Sequence, residues 1–190
     1  QRLRVLYALT SDAGRPPLVV ASAVALAQRT LHRESFSSSV QTLSVKDQVE
    51  LDDMLELWLR MGYRVEPAVF APGVVSRRGG ILDIFPVGAS LPARIELFGN
   101  EIDSIRIFDP SNQRSTQFVD SIEVIPAHET LPAMTDKEQL ESLISRIDLA
   151  NCDAPHQERV REELAQLLEG LPVEDLNLYA GFFNHGSLLD

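Results

Sequence analysis

Five arginines and no lysine lie between Arg77 and Arg114. A guanidinium is planar, permanently charged and able to hold a carboxylate or phosphate through two parallel hydrogen bonds, so a stretch that uses arginine alone favours oriented recognition over diffuse charge. Within it, Arg94, Glu96 and Phe98 stand two residues apart. In an extended strand that spacing puts all three on one face, with Ile95 and Leu97 on the other. A planar cation near an aromatic ring on an open face is a pairing that protein interfaces use as an anchor. The competing arrangement is local: Phe98 folds over a hairpin end, and Arg94 pairs with Glu96 or Asp103.

Catalytic constellations are not expected. There is no Gly-x-x-x-x-Gly-Lys-Ser/Thr loop, so the backbone cradle and lysine that hold a nucleoside triphosphate are missing. Gly79 and Gly80 lie between expected strands rather than ahead of a helix, which makes them a permissive turn rather than an anion site. His32, His128, His156 and His185 are scattered without metal-ligand spacing, and Asp52 and Asp53 point in different directions on a helix. No Gly-x-Ser-x-Gly elbow occurs, and Ser187 has no motif around it.

The Arg94 strand, Ala93 to Phe98, ends at Gly99-Asn100, a pair suited to a two-residue hairpin turn. That turn sets Leu97 opposite Ile102 and Ile95 opposite Ser104. The apolar positions then change phase to Ile105 and Ile107, which predicts a bulge near Asp103 or Ser104. From Val65 to Val124 the apolar period is close to 2, punctuated by Pro72-Gly73, Gly79-Gly80, Pro86 to Ser90, Gly99-Asn100 and Pro110 to Asn112, as antiparallel strands require. Ahead of it a helix is expected from Asp47 to Met61, with Leu51, Met54, Leu55, Trp58 and Met61 on one stripe and Gly62 ending it.

Further upstream, Val40 to Val45 reads as a strand, Ser35 to Ser39 as a turn or loop, Pro17 to Ala21 as a buried strand and Ser22 to Thr30 as a short helix. Downstream, helices are expected over Asp136 to Ile147, with Thr135 and Glu138 at capping-box spacing, and over His156 to Gly170, stopped by Gly170 and Pro172. Their charged faces read as solvated surfaces.

The 190 residues are 44% hydrophobic, enough to fold, and carry 17 basic against 28 acidic side chains, a net charge of -11. A general grip on nucleic acid is disfavoured. The acidity is uneven: residues 1–128 hold 13 basic and 15 acidic side chains, and residues 129–190 hold 4 and 13. The arginine stretch therefore sits in a nearly neutral part. One cysteine, Cys152, excludes an internal disulfide or a cysteine zinc site. No apolar run reaches the roughly 18 to 20 residues that cross a bilayer, so a cytoplasmic protein without membrane contact is expected. The chain opens without Met and stops without a terminating signal, and is expected to be a piece of a longer protein.

Three runs carry a family resemblance: Arg77-Arg78-Gly79-Gly80-Ile81-Leu82-Asp83-Ile84-Phe85-Pro86; then Leu91 to Arg106; then Phe108-Asp109-Pro110 with Gln113-Arg114-Ser115. Together they resemble the UvrB-homology module of bacterial transcription-repair coupling factors, most specifically over Leu55 to Glu129. The homologous module of UvrB is the near alternative, and a DNA-binding module the alternative of another class.

The resemblance implies an α+β fold, in which an antiparallel-sheet interaction domain is inserted into or packed on a partial α/β, degenerate helicase-like subdomain. It implies residues 1–45 as the end of that subdomain, 46–128 as the interaction domain, and 129–190 as an acidic helical segment returning to the first. It also implies a non-catalytic module that docks the repair protein UvrA through Arg78, Arg94, Glu96 and Phe98, with Arg77 as a weaker candidate. No cofactor is implied within these residues; ATP and Mg belong to a motor elsewhere in the family's longer chain, and RNA polymerase and double-stranded DNA are bound there by other domains.

Overall fold

The computed structural model describes residues 2–10, 17–171, 173–184 and 186, without the side chain of residue 177. Pro172, His185 and Ser187, singled out above, lie outside the described residues. The first elements in chain order are α1 (Arg2–Thr10), α2 (Ala23–Ala27), α3 (Arg33–Ser38), β1 (Gln41–Ser44), α4 (Leu51–Arg60), β2 (Arg64–Val65), β3 (Val74–Arg78) and β4 (Ile81–Phe85). They continue with β5 (Ala93–Phe98), β6 (Glu101–Asp109), β7 (Arg114–Val119), β8 (Ser121–Val124), α5 (Lys137–Ile144), α6 (Ala154–Leu168) and α7 (Ala180–Phe183). The fold is α+β. Two compact units form, residues 1–20 with 33–128, and residues 21–32 with 129–190.

The first unit is built on a six-stranded sheet of order β2-β3-β4-β5-β6-β7, antiparallel except for the β2–β3 edge pair. A separate antiparallel pair joins β1 to β8. One face of the large sheet is closed: Val75, Leu82, Ile84, Ile95 and Ile105 are fully buried. On α4 the expected stripe holds, with Met54 and Trp58 buried and Gly62 at φ +89 just past the helix end, where only glycine is unstrained. The Trp58 indole N–H donates to Gln41 Oε1 at 2.7 Å. Arg77 pairs with Asp52, and the Asn100 amide donates to Glu50, tying the helix to the sheet.

The helix starts at Leu51 rather than Asp47. The Asp47 carboxylate instead accepts the Ser44 N–H at 2.7 Å, closing a turn in which Lys46 adopts φ +81. In the central hairpin Leu97 faces Ile102, Glu96 faces Ser104 and Ile95 faces Ile105. Asp103 is thus the extra residue of the expected bulge, and that bulge shifts Ile95 from Ser104 to Ile105.

Two upstream expectations fail. Pro17 to Ala21 is not a strand, and Leu18 and Val20 are 95% and 92% exposed. No ladder partner forms for it among the described residues, and a lone strand has no hydrogen bonds to hold it. Ser35 to Ser39 is largely helical, not a loop: buried Phe36 anchors α3, and the Ser38 and Ser39 hydroxyls donate back to the Ser35 carbonyl. Tertiary burial overrides the serines' weak helix propensity.

In the second unit, Leu140, Leu164, Leu167, Tyr179 and Phe183 form the core. The short α2 is capped by Ser22, whose hydroxyl accepts the Ala25 N–H. Asp136, not Thr135, caps α5 by accepting the Gln139 N–H at 2.9 Å, while the Thr135 hydroxyl donates to the Leu131 carbonyl. α5 ends at Ile144, and α6 begins two residues earlier than expected because Asp153 accepts the His156 N–H. Gly170, at φ +68, follows α6 as expected. Among the described residues no helix is long and apolar enough to cross a membrane.

Candidate functional site

Asp83 is the one charge in the β4 run Ile81-Leu82-Asp83-Ile84-Phe85, and it is 1% exposed. Directly opposed residues in a ladder point to the same side of a sheet. The pairings Asp83↔Arg94, Arg94↔Arg106 and Arg106↔Phe118 therefore form one row across β4, β5, β6 and β7 on the face away from the Leu82–Ile95 core.

The buried carboxylate is met by two arginines. Arg94 donates from Nε to Oδ1 at 2.7 Å and from a terminal nitrogen to Oδ2 at 2.8 Å, and Arg78 donates to Oδ2 at 2.8 Å. These bonds offset the cost of taking Asp83 out of water, and they fix both guanidinium planes. Arg94 is 18% exposed, with its guanidinium carbon 4.9 Å from the Phe108 ring centroid. Phe108 belongs to a small cluster with Val69, Val74 and Phe85, which backs the row at one end. The hydrogen bond to Asp83 raises the Arg94 pKa above its ordinary value.

Beside this lies a second ion pair. Glu96 accepts from Arg106 at 2.5 Å and from the Ser104 hydroxyl at 3.2 Å, and the Arg106 guanidinium lies 4.9 Å from the Phe118 ring centroid. Phe98, the last residue of β5, is 83% exposed. Two glycine turns bring the pieces together. Gly79 and Gly99 open their hairpins at φ +60 and +63, and the Leu97 N–H donates to the Gly80 carbonyl at 2.9 Å, so the two loops lie side by side. A Cβ on Gly80 would sit 3.3 Å from the Leu97 carbonyl oxygen.

Arg78, Arg94, Glu96 and Phe98 thus share one face, on which Phe98 and Arg78 are exposed and Arg94 and Glu96 are largely covered. Arg77 does not: alternation turns it to the other side, where it pairs with Asp52. Arg94 bonds neither Glu96 nor Asp103 but Asp83, and Phe98 stands clear of the hairpin end. Asp83, Arg106 and Phe118 were missed by sequence reasoning. The signal for Asp83 was available, since a lone carboxylate within an apolar strand must have a buried partner. Three arginines against two carboxylates leave the face one positive charge in excess. Among the described residues no group of three or more His, Cys, Asp or Glu could hold a metal ion.

The family model for the UvrB interaction domain matches residues 42–129, which contain all of this face. The whole chain aligns at 34% identity with the transcription-repair-coupling factor of Bacillus subtilis, and 98% of it at 33% identity with that of Myxococcus xanthus. The factor of Staphylococcus aureus strain USA300 is 38% identical over 67% of the chain. The chain spans only 17%, 15% and 11% of the lengths of these relatives.

Proposed function

The chain belongs to the transcription-repair-coupling factor family, whose UvrB interaction domain it carries, and from that premise we propose that its Arg78, Arg94, Glu96 and Phe98 face docks UvrA. The observation that carries the reading is the buried Asp83 holding two arginines in fixed planes on a face that ends in an exposed phenylalanine. Pre-set charge-assisted donors orient a partner, and the aromatic ring supplies affinity when it is desolvated. The module acts by binding and uses no cofactor of its own.

In this reading residues 46–128 are the docking domain, 1–45 the end of a neighbouring α/β subdomain, and 129–190 an acidic segment returning to it. The longer protein then recruits UvrA during transcription-coupled excision repair in the cytoplasm, using RNA polymerase contacts, double-stranded DNA contacts and an ATP- and Mg-dependent motor that lie in other domains. A DNA-binding role for the arginine cluster is disfavoured, because the carboxylates of Asp52, Asp83 and Glu96 lie against it and leave too little net positive charge to grip a phosphate backbone. A pull-down with purified UvrA tests the reading: the chain is retained, and Arg94→Ala and Phe98→Ala chains, folded by circular dichroism, are not. Retention of both variants at the parent level contradicts it. Strongly salt-dependent binding to duplex DNA without retention by UvrA supports the DNA-binding role instead.

A further inference from the structure

Phe118 is 69% exposed on β7, one of the two edge strands of the six-stranded sheet. Both faces of β7 are open to solvent, so the fold offers this ring no core to enter. An edge strand is where an exposed aromatic carries most risk of unwanted pairing. The ring is nevertheless held in a defined place, against Arg106, which is itself fixed by Glu96. The Arg106 side chain is 32% exposed, so a partner carboxylate can reach its terminal nitrogens, while Nε is buried without an acceptor and stays out of reach.

We propose that Arg106 and Phe118 form a second half of the docking face, receiving from the same partner a carboxylate next to an apolar side chain. This rests on the docking role of the Arg94 row. Phe118 lies in that row, two strands from Arg94, which places its backbone about 10 Å across the sheet, while Phe98 lies about 13 Å along the strand. The two exposed rings therefore flank one arginine patch, and a flat partner surface of ordinary interface size reaches both. The excess of one positive charge selects an acidic partner surface over a basic one. Desolvation strengthens the Arg106–Phe118 stack once a partner covers it.

The test is titration of purified UvrA into the 190-residue chain and its Phe98→Ala, Phe118→Ala, Arg106→Ala and Gln117→Ala variants. All four positions are at least partly exposed, so folding is checked by circular dichroism rather than assumed. The expected result is a loss of about tenfold or more in affinity for Phe98→Ala, Phe118→Ala and Arg106→Ala, with Gln117→Ala, on the other side of β7, unchanged. Weakening by Phe98→Ala alone overturns the second half and leaves the docking role standing. No binding by the parent chain overturns both. Equal loss from Gln117→Ala also overturns the proposal, because the effect would then belong to the strand and not to this face.

Discussion

Asp83 and Arg94 face each other across the β4–β5 ladder, joined by hydrogen bonds of 2.7 and 2.8 Å from two guanidinium nitrogens to the two carboxylate oxygens. The carboxylate is buried and the arginine reaches the surface. One strand thus supplies a hidden anchor, and the next presents the group that it anchors. Arg78 shares the same anchor, so a single buried residue sets two of the face's three cations.

Removing that anchor affects stability and docking together. Asp83→Ala leaves Arg94 partly buried without a counter-ion and is expected to cost about 3 kcal/mol, the low end for breaking a buried pair because half-exposed Arg78 can turn to water. Urea unfolding measures it. Asp83→Asn keeps the volume but points an amide at donors, and loses affinity for UvrA even at temperatures where it is fully folded. In an Arg78→Ala, Arg94→Ala background the further effect of Asp83→Asn on binding disappears, because Asp83 acts through those two arginines.

Phe98→Ala separates the two properties. The ring touches little in the free chain, so stability changes by less than about 0.5 kcal/mol, whereas binding falls about tenfold or more. Paired urea-unfolding and affinity measurements on one preparation check this.

Much of this arrangement could be read before the structure. Alternation placed Arg94, Glu96 and Phe98 on one side, and the phase change after Ile102 marked the bulge at Asp103. What could not be read was register between strands separated by turns: nothing local tells Arg94 to choose Asp83 over Glu96, or brings Phe118 beside Arg106. Pro17 to Ala21 failed for a related reason, since an apolar run states a preference for burial but does not provide a neighbour. Ser35 to Ser39 failed because one buried ring, Phe36, outweighed four serines.

Trp58 is the chain's single tryptophan and is fully buried. Its emission is expected to be blue-shifted in the folded chain and to move to longer wavelength as the first unit unfolds. Trp58→Ala removes that packing and the indole bond to Gln41, at a cost of about 3 to 5 kcal/mol. Circular dichroism during urea unfolding measures the loss.

Gly62→Ala is expected to destabilise the first unit by more than about 1 kcal/mol, since φ +89 strains any side chain and the new Cβ would lie 2.6 Å from His128 Cδ2. Thermal unfolding of Gly62→Ala beside Gly99→Ala separates the two effects. Gly99 has a positive φ with nothing within 4 Å, so it reports backbone strain alone.

The second unit should respond to acid through Glu163. The Tyr179 hydroxyl, at 2.5 Å, and Arg159 hold the Glu163 pKa below the usual glutamate range. A carboxylate whose pKa is depressed by folding contributes stability above its unfolded pKa and loses it as pH falls through the folded value. Glu163→Gln therefore flattens the loss of stability on acidification below about pH 4.3. At the other end, burial and the Glu163 bond push Tyr179 up to about 12, so its contribution is lost as pH rises from about 10 towards that value. Chemical denaturation across pH, followed by circular dichroism, reads both limbs.

Whether an arginine held by a buried carboxylate docks UvrA is decided by calorimetric titration of UvrA into the parent and Arg94→Ala chains. Saturable binding by the parent is expected, with at least about tenfold weaker binding by a folded Arg94→Ala chain. Equal affinity of the two chains, or no binding by the parent, contradicts that docking role.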